Sequence, residues 1–184
     1  MKLNLGSGQR RPPEGYVNID IEPRFNPDVV CDLAKERWPF DDNSMTEGIC
    51  SHVMEHLGGD GFFHFLREMY RVGMPGAVIH CAVPHPRHDI YLNDPTHVRP
   101  ITLQGMSLFS KRFLQEQLDK GNLLTPFADL LGVDFNLQNG VYKFDAAIEP
   151  EFLKRIEENR WFFEKHFYNI VHEIQFQLVV VKGG

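Results

Sequence analysis

At 184 residues, with 42% apolar and 24% charged side chains, the chain suits one globular domain that buries about 70% of its unfolded surface. It holds no run of about 18 apolar residues and no basic-then-apolar leader, so neither membrane insertion nor export is expected and the cytoplasm is the expected setting. A net charge of −6 without a basic stripe argues against long nucleic acid as a partner and leaves a single nucleotide or a sugar open.

Taken in order, Lys2-Leu3-Asn4-Leu5 reads as an apolar strand running into the turn Gly6-Ser7-Gly8, where missing Cβ atoms let the backbone approach a ligand. Pro12-Pro13-Glu14-Gly15 cannot continue a helix, so a short loop leads to the next strand, Val17-Asn18-Ile19-Asp20-Ile21, whose acid can accept bonds from ribose hydroxyls. Spacing then decides among nucleotide ligands. A dinucleotide fingerprint wants a third glycine where Arg11 stands and an acid about 20 residues on. Asp20 follows Gly8 far sooner, and no Gly-Lys-Ser/Thr phosphate loop occurs. An adenosyl ligand without a pyrophosphate remains, which points to S-adenosylmethionine.

The segment Asp28-Val29-Val30-Cys31-Asp32-Leu33 ends a further strand in an acid. Asp32 can accept from an adenine amine with Leu33 on the ring, or it can simply cap a helix. Cys31, Cys50 and Cys81 each sit in an apolar run and read as small buried hydrophobes, with no Cys-x-x-Cys pair for zinc. After the turn-rich Trp38-Pro39-Phe40-Asp41-Asp42-Asn43-Ser44, residues 45–53 form a strand closed by Ser51-His52-Val53-Met54-Glu55-His56-Leu57. Gly58-Gly59 stop it. Asp60 can cap a helix whose Phe62, Phe63, Leu66, Met69 and Tyr70 share an apolar face. Met74-Pro75-Gly76 reads as a turn and residues 77–83 as a strand buried on both faces. Alternating strands and helices imply a doubly wound α/β domain over residues 1–184.

His52-Val53-Met54-Glu55-His56 also spells His-x-x-Glu-His, a zinc-hydrolase signature that needs both histidines on one helix face. The flanking glycines argue against such a helix, and no metal is assigned. A cation held by His52 or His56 with His85, His88 or His97 stays open, since the chain has nine histidines.

Beyond the fifth strand, residues 85–105 are dense in proline and hydrogen-bonding side chains, as in Asp94-Pro95-Thr96-His97-Val98-Arg99, and read as an ordered loop on the acceptor side. The bland alternative pairs Asp94 with Arg99. Residues 107–118 suit a helix. Residues 132–144 read as a hairpin turning at Asn139-Gly140, residues 150–166 as one amphipathic helix and residues 170–182 as a final strand. Trp161, Phe162, Phe163, Phe167 and Tyr168 are dense enough for core, a homodimer contact or an acceptor-site wall.

These elements together resemble class I S-adenosylmethionine-dependent methyltransferases, near the small type 11-like group. The resemblance rests on Leu3 to Gly8, Val17 to Ile21, Trp38 to Ser44 and Ser51 to Leu57, in order over roughly the first 110 residues, with Pro75-Gly76 following. It departs at Asn4, where the family carries an acid, and at Met45-Thr46-Glu47. The resemblance implies a seven-stranded, mostly parallel Rossmann-like sheet with an antiparallel last strand, and methyl transfer to a small-molecule or glycan acceptor. It implies that Asn4, Gly6, Ser7 and Gly8 hold the methionine and ribose parts, Asp20 with Ile21 the ribose, and Asp32 with Leu33 the adenine. Ser51 and His52 are expected near the transferable methyl, and Arg10 or Arg11 at the ligand carboxylate. His97 and His56 fit a general base by type, and His85, Asp94 and Arg99 are expected on the acceptor side. A non-catalytic nucleoside-binding module of the same fold is the alternative.

Overall fold

The computed structural model describes residues 1–9, 11–12 and 14–183. Short apolar runs with glycine and proline between them form seven strands: β1 Lys2–Leu5, β2 Tyr16–Asp20, β3 Val29–Val30, β4 Met45–Ser51, β5 Gly73–Pro84, β6 Phe135–Phe144 and β7 Val171–Val180. They make one sheet in the order β3-β2-β1-β4-β5-β7-β6. The first five strands pair in parallel, and β7 lies antiparallel between β5 and β6. Leu3, Leu5, Ile19, Cys50 and Ile79 are fully buried at its centre, as expected of strands covered on both faces. All three cysteines are buried and free.

Among the described residues seven α-helices join these strands: α1 Gly59–Val72, α2 Asp89–Leu92, α3 Leu103–Ser107, α4 Lys111–Asp119, α5 Phe127–Leu131, α6 Pro150–Glu158 and α7 Arg160–His166. The apolar face of α1 buries Phe62, Phe65, Leu66, Met69 and Val72. Its N-cap is Gly58, and Asp60 sits inside the first turn, where its charge suits the helix dipole without capping. No helix among the described residues is long and apolar enough to cross a membrane.

The turn before β4 is clasped by charge. Glu68 on α1 accepts from the Trp38 backbone N–H at 2.8 Å, and Arg71 grips Glu68 with two N–H donors at 2.9 and 2.7 Å. Arg71 also donates to the Trp38 and Phe40 carbonyls and to Asp42. Trp38 itself is buried edge-on against Phe65.

Several elements differ from expectation. Residues 132–144 are no hairpin: β6 is one strand paired to β7, and Asn139-Gly140 forms a bulge, with Asn139 at φ 52 and the register shifting between Gln138 and Val141. Met74-Pro75-Gly76 is likewise an irregularity within β5, with Gly76 at φ 81. Ser110 splits the helix expected at 107–118 by capping α4 through its hydroxyl. Asn159, at φ −140 and ψ 52 and so outside the helical region, splits the one expected at 150–166. Phe163 joins a small second core with Ile156, Ile170 and Val171, while Trp161 and Tyr168 stay exposed.

Candidate functional site

The carboxyl ends of β1, β2 and β4 open into a cleft of about 930 Å³, the position where parallel sheets take ligands. One wall is the glycine turn. Gly6 adopts φ 65 and Gly8 φ 51, and a Cβ built on Gly6 would collide with Val53 Cγ2. The Gly6 requirement therefore comes from packing against the segment after β4 as well as from backbone conformation. The Ser7 N–H donates to the Ile19 carbonyl at 2.9 Å, tying this turn to β2.

Asp20 ends β2 beside the turn, with one carboxylate oxygen accepting from the Gly8 N–H at 2.7 Å and the other from the Glu22 N–H at 2.9 Å. Ile21, Asp32 and Leu33 also line the cleft, and Asp32 caps its own turn through the Ala34 N–H at 3.0 Å. Asp32 thus serves as a turn cap while standing on the cleft wall. Arg11 is spent on the carbonyls of Gly8, Phe25 and Asn26. Arg10 lies outside the described residues.

Asn4 and Ser7 are buried behind the turn, off the cleft wall; the Asn4 side-chain amide donates to Asn18 at 3.0 Å. Ser51 faces a separate cavity with Tyr16, His80 and Gln175, because successive strand residues point to opposite faces. His52 does line the cleft, with its backbone at φ 55, a conformation few side chains adopt. Its Nε2 meets Glu173 at 2.9 Å and its Nδ1 lies 3.2 Å from Glu55. Glu55 is the main influence raising the His52 pKa, burial opposes it and Glu173 adds to the rise.

Met54–His56 is a single 3-10 turn, and α1 starts only after Gly58. His52 and His56 therefore share no helix face, and the zinc-hydrolase arrangement is not formed. His56 reaches the cleft, and its ring sits 4.6 Å from that of His97. His97 stacks on Tyr91, and its side chain is only 7% exposed. His85, Asp94, His97 and Arg99 do not line the cleft wall. Asp94 accepts from Thr96, whereas Arg99 donates to the Leu57 carbonyl and covers the Phe62 ring, so the two do not pair. His85 packs against Tyr142.

Sequence reasoning gave no structural weight to Glu55, which is fully buried beneath this histidine pair. Its signal was the His-x-x-Glu-His spacing, set aside with the helix it failed to make.

No protein-family model and no curated protein matches this sequence. Solved structures do. An S-adenosylmethionine-dependent methyltransferase from Archaeoglobus fulgidus is 17% identical at TM-score 0.58, covering 97% of this chain and 85% of its own. One from Mesorhizobium loti is 13% identical at TM-score 0.52, covering 97% and 90%. The fold is that of the class I S-adenosylmethionine-dependent methyltransferases. The cyclase SpnF matches the same methyltransferase fold at 14% identity and TM-score 0.54, covering 99% of this chain and 75% of its own, so the fold does not by itself choose the reaction.

Proposed function

We propose that the chain is an S-adenosylmethionine-dependent methyltransferase for a small-molecule or glycan acceptor. The observation that carries this reading is Asp20: both of its oxygens are held by backbone N–H groups, beside a glycine turn and in a cleft that Leu33 also lines. A carboxylate oxygen has lone pairs beyond those two bonds, and they are available to ribose hydroxyls. The cleft volume suits an adenosyl ligand. On this reading Gly6 and Gly8 leave room for the ribose and methionine parts, Asp20 and Ile21 hold the ribose, and Asp32 and Leu33 flank the adenine. Asn4 and Ser7 act from behind, by setting the turn.

When bound, the cofactor supplies an activated methyl group, and its positive charge disappears as the methyl leaves. The chain's own residues contribute alignment and exclusion of water. His52 and His56 face the end of the cleft away from Asp32 and mark the acceptor side, with residues 85–102 closing behind them.

The test is isothermal titration with S-adenosylhomocysteine. Wild-type protein is expected to bind one equivalent, and Asp20→Ala to weaken binding by roughly 1–3 kcal/mol, the size of lost bonds to a buried ligand. Absence of wild-type binding, or an unchanged Asp20→Ala affinity, overturns the assignment.

A further inference from the structure

We infer that Glu55, His56 and His97 form a binding site for one divalent transition-metal cation at the acceptor end of the cleft. Its role toward an oxygen-bearing acceptor rests on the methyltransferase reading; the site itself does not.

Glu55 is 0% exposed, and neither carboxylate oxygen has a hydrogen-bond partner among the described residues. The His52 contact at 3.2 Å is near enough for charge attraction but is not aligned as a hydrogen bond. Protonated His52 meets only one of these oxygens and is shared with Glu173, and a buried carboxylate with its other oxygen bare is costly unless a further cation meets it. Two histidines stand where that cation would sit. One ligand atom from each of Glu55, His56 and His97 can be chosen so that all lie within 4.8 Å of one another. Ligands at about 2.1 Å from a shared ion stand roughly 3–4 Å apart, so the three close on it with side-chain adjustment alone.

The surroundings prepare both rings as ligands. His97 Nδ1 is 2.9 Å from the Tyr91 carbonyl, which can only accept, so that nitrogen carries the proton and, in the neutral ring, Nε2, 3.7 Å from Asp94, holds the lone pair a cation needs. The Thr96 hydroxyl donates to Asp94 at 2.6 Å, so it accepts from His56 Nδ1 at 2.8 Å, and in the neutral ring the His56 lone pair is likewise on Nε2. Outer-sphere bonds of this kind fix tautomer and ring orientation in metal sites. The Glu55 carbonyl also accepts from the Val98 and Arg99 N–H groups at 2.9 and 3.1 Å, pinning the loop that carries His97 onto the turn that carries Glu55.

Two imidazoles and one carboxylate suit manganese, iron, cobalt or zinc better than magnesium or calcium. Three protein ligands leave positions for an acceptor's oxygens, and His56 places that opening on the cleft. A hydroxyl- or carboxylate-bearing acceptor is the class such an opening takes.

The experiment is titration of chelator-treated full-length protein with cobalt(II) and with zinc(II), following heat and the cobalt visible spectrum. One equivalent is expected, with Glu55→Gln and His56→Asn each weakening binding at least tenfold. Should Glu55→Gln fail to fold, His56→Asn decides alone, because His56 is exposed. Asp20→Ala is expected to bind the metal as wild type does. No binding by wild-type protein, or undiminished binding by His56→Asn, overturns the site. Metal binding without S-adenosylhomocysteine binding leaves the site standing and removes the methyltransferase reading.

Discussion

Gly6 and Gly8 look interchangeable as letters and differ as positions. Both adopt positive φ, but a Cβ at Gly8 meets nothing within 4 Å, whereas one at Gly6 meets Val53. Gly8→Ala is expected to cost only the left-handed backbone penalty, about 1–2 kcal/mol. Gly6→Ala should cost clearly more in urea denaturation, and Val53→Ala added to it should recover part of the difference; equal costs for the two alanines would refute this. The same contrast marks the limit of reading strand ends as strings. Ser51 and His52 are neighbours in sequence, yet Ser51, the last residue of β4, faces the far cavity while His52, just beyond the strand at φ 55, faces the cleft.

At the level of elements, the Trp38 turn depends on α1 through Glu68 and Arg71, whose side chains are 10% and 16% exposed. Arg71→Met strands the Glu68 carboxylate and frees two backbone carbonyls, so a loss of about 3 kcal/mol is expected by chemical denaturation. Glu68→Gln in that background should restore part of it. A loss below 1 kcal/mol would mean that the clasp is ornamental. Strands β1 to β4, and β5 beyond Gly76, were legible because each is a short apolar run bounded by turn residues. β6 was not, because Asn139-Gly140 is the same signal whether it reverses a chain or bulges a strand, and only pairing with β7 separates the two. The helix breaks at Ser110 and Asn159 escaped for a related reason: hydrophobic period continues through a cap that only geometry reveals.

For the molecule as a whole, acid stability carries a signature of His85. Burial, then the charges of Arg87 and His88, lower its pKa to about 4 from the ordinary 6.5. Between those values the unfolded chain takes up a proton that the folded chain refuses, so this contribution is complete above pH 6.5 and is lost as pH falls toward 4. His52 acts in the opposite sense: its raised pKa stabilises the fold below 6.5, and that gain fades as pH climbs through the raised value. His85→Asn is therefore expected to flatten the decline in thermal midpoint between pH 6.5 and 4; a slope identical to wild type would rule out this role. The candidate site was legible where it depends on strand ends, at Gly6, Asp20 and Asp32. Glu55 was hidden because burial is a property of the assembled fold.

The placement of β7 between β5 and β6 sets the order in which a newly made chain can close. While residues 171–180 are still in the ribosome, β6 has no neighbour to join and β5 presents an open edge backed by apolar side chains. Nascent protein of this topology must pass through synthesis with that edge unguarded, and a message truncated before Val171 would release chains prone to stick to one another.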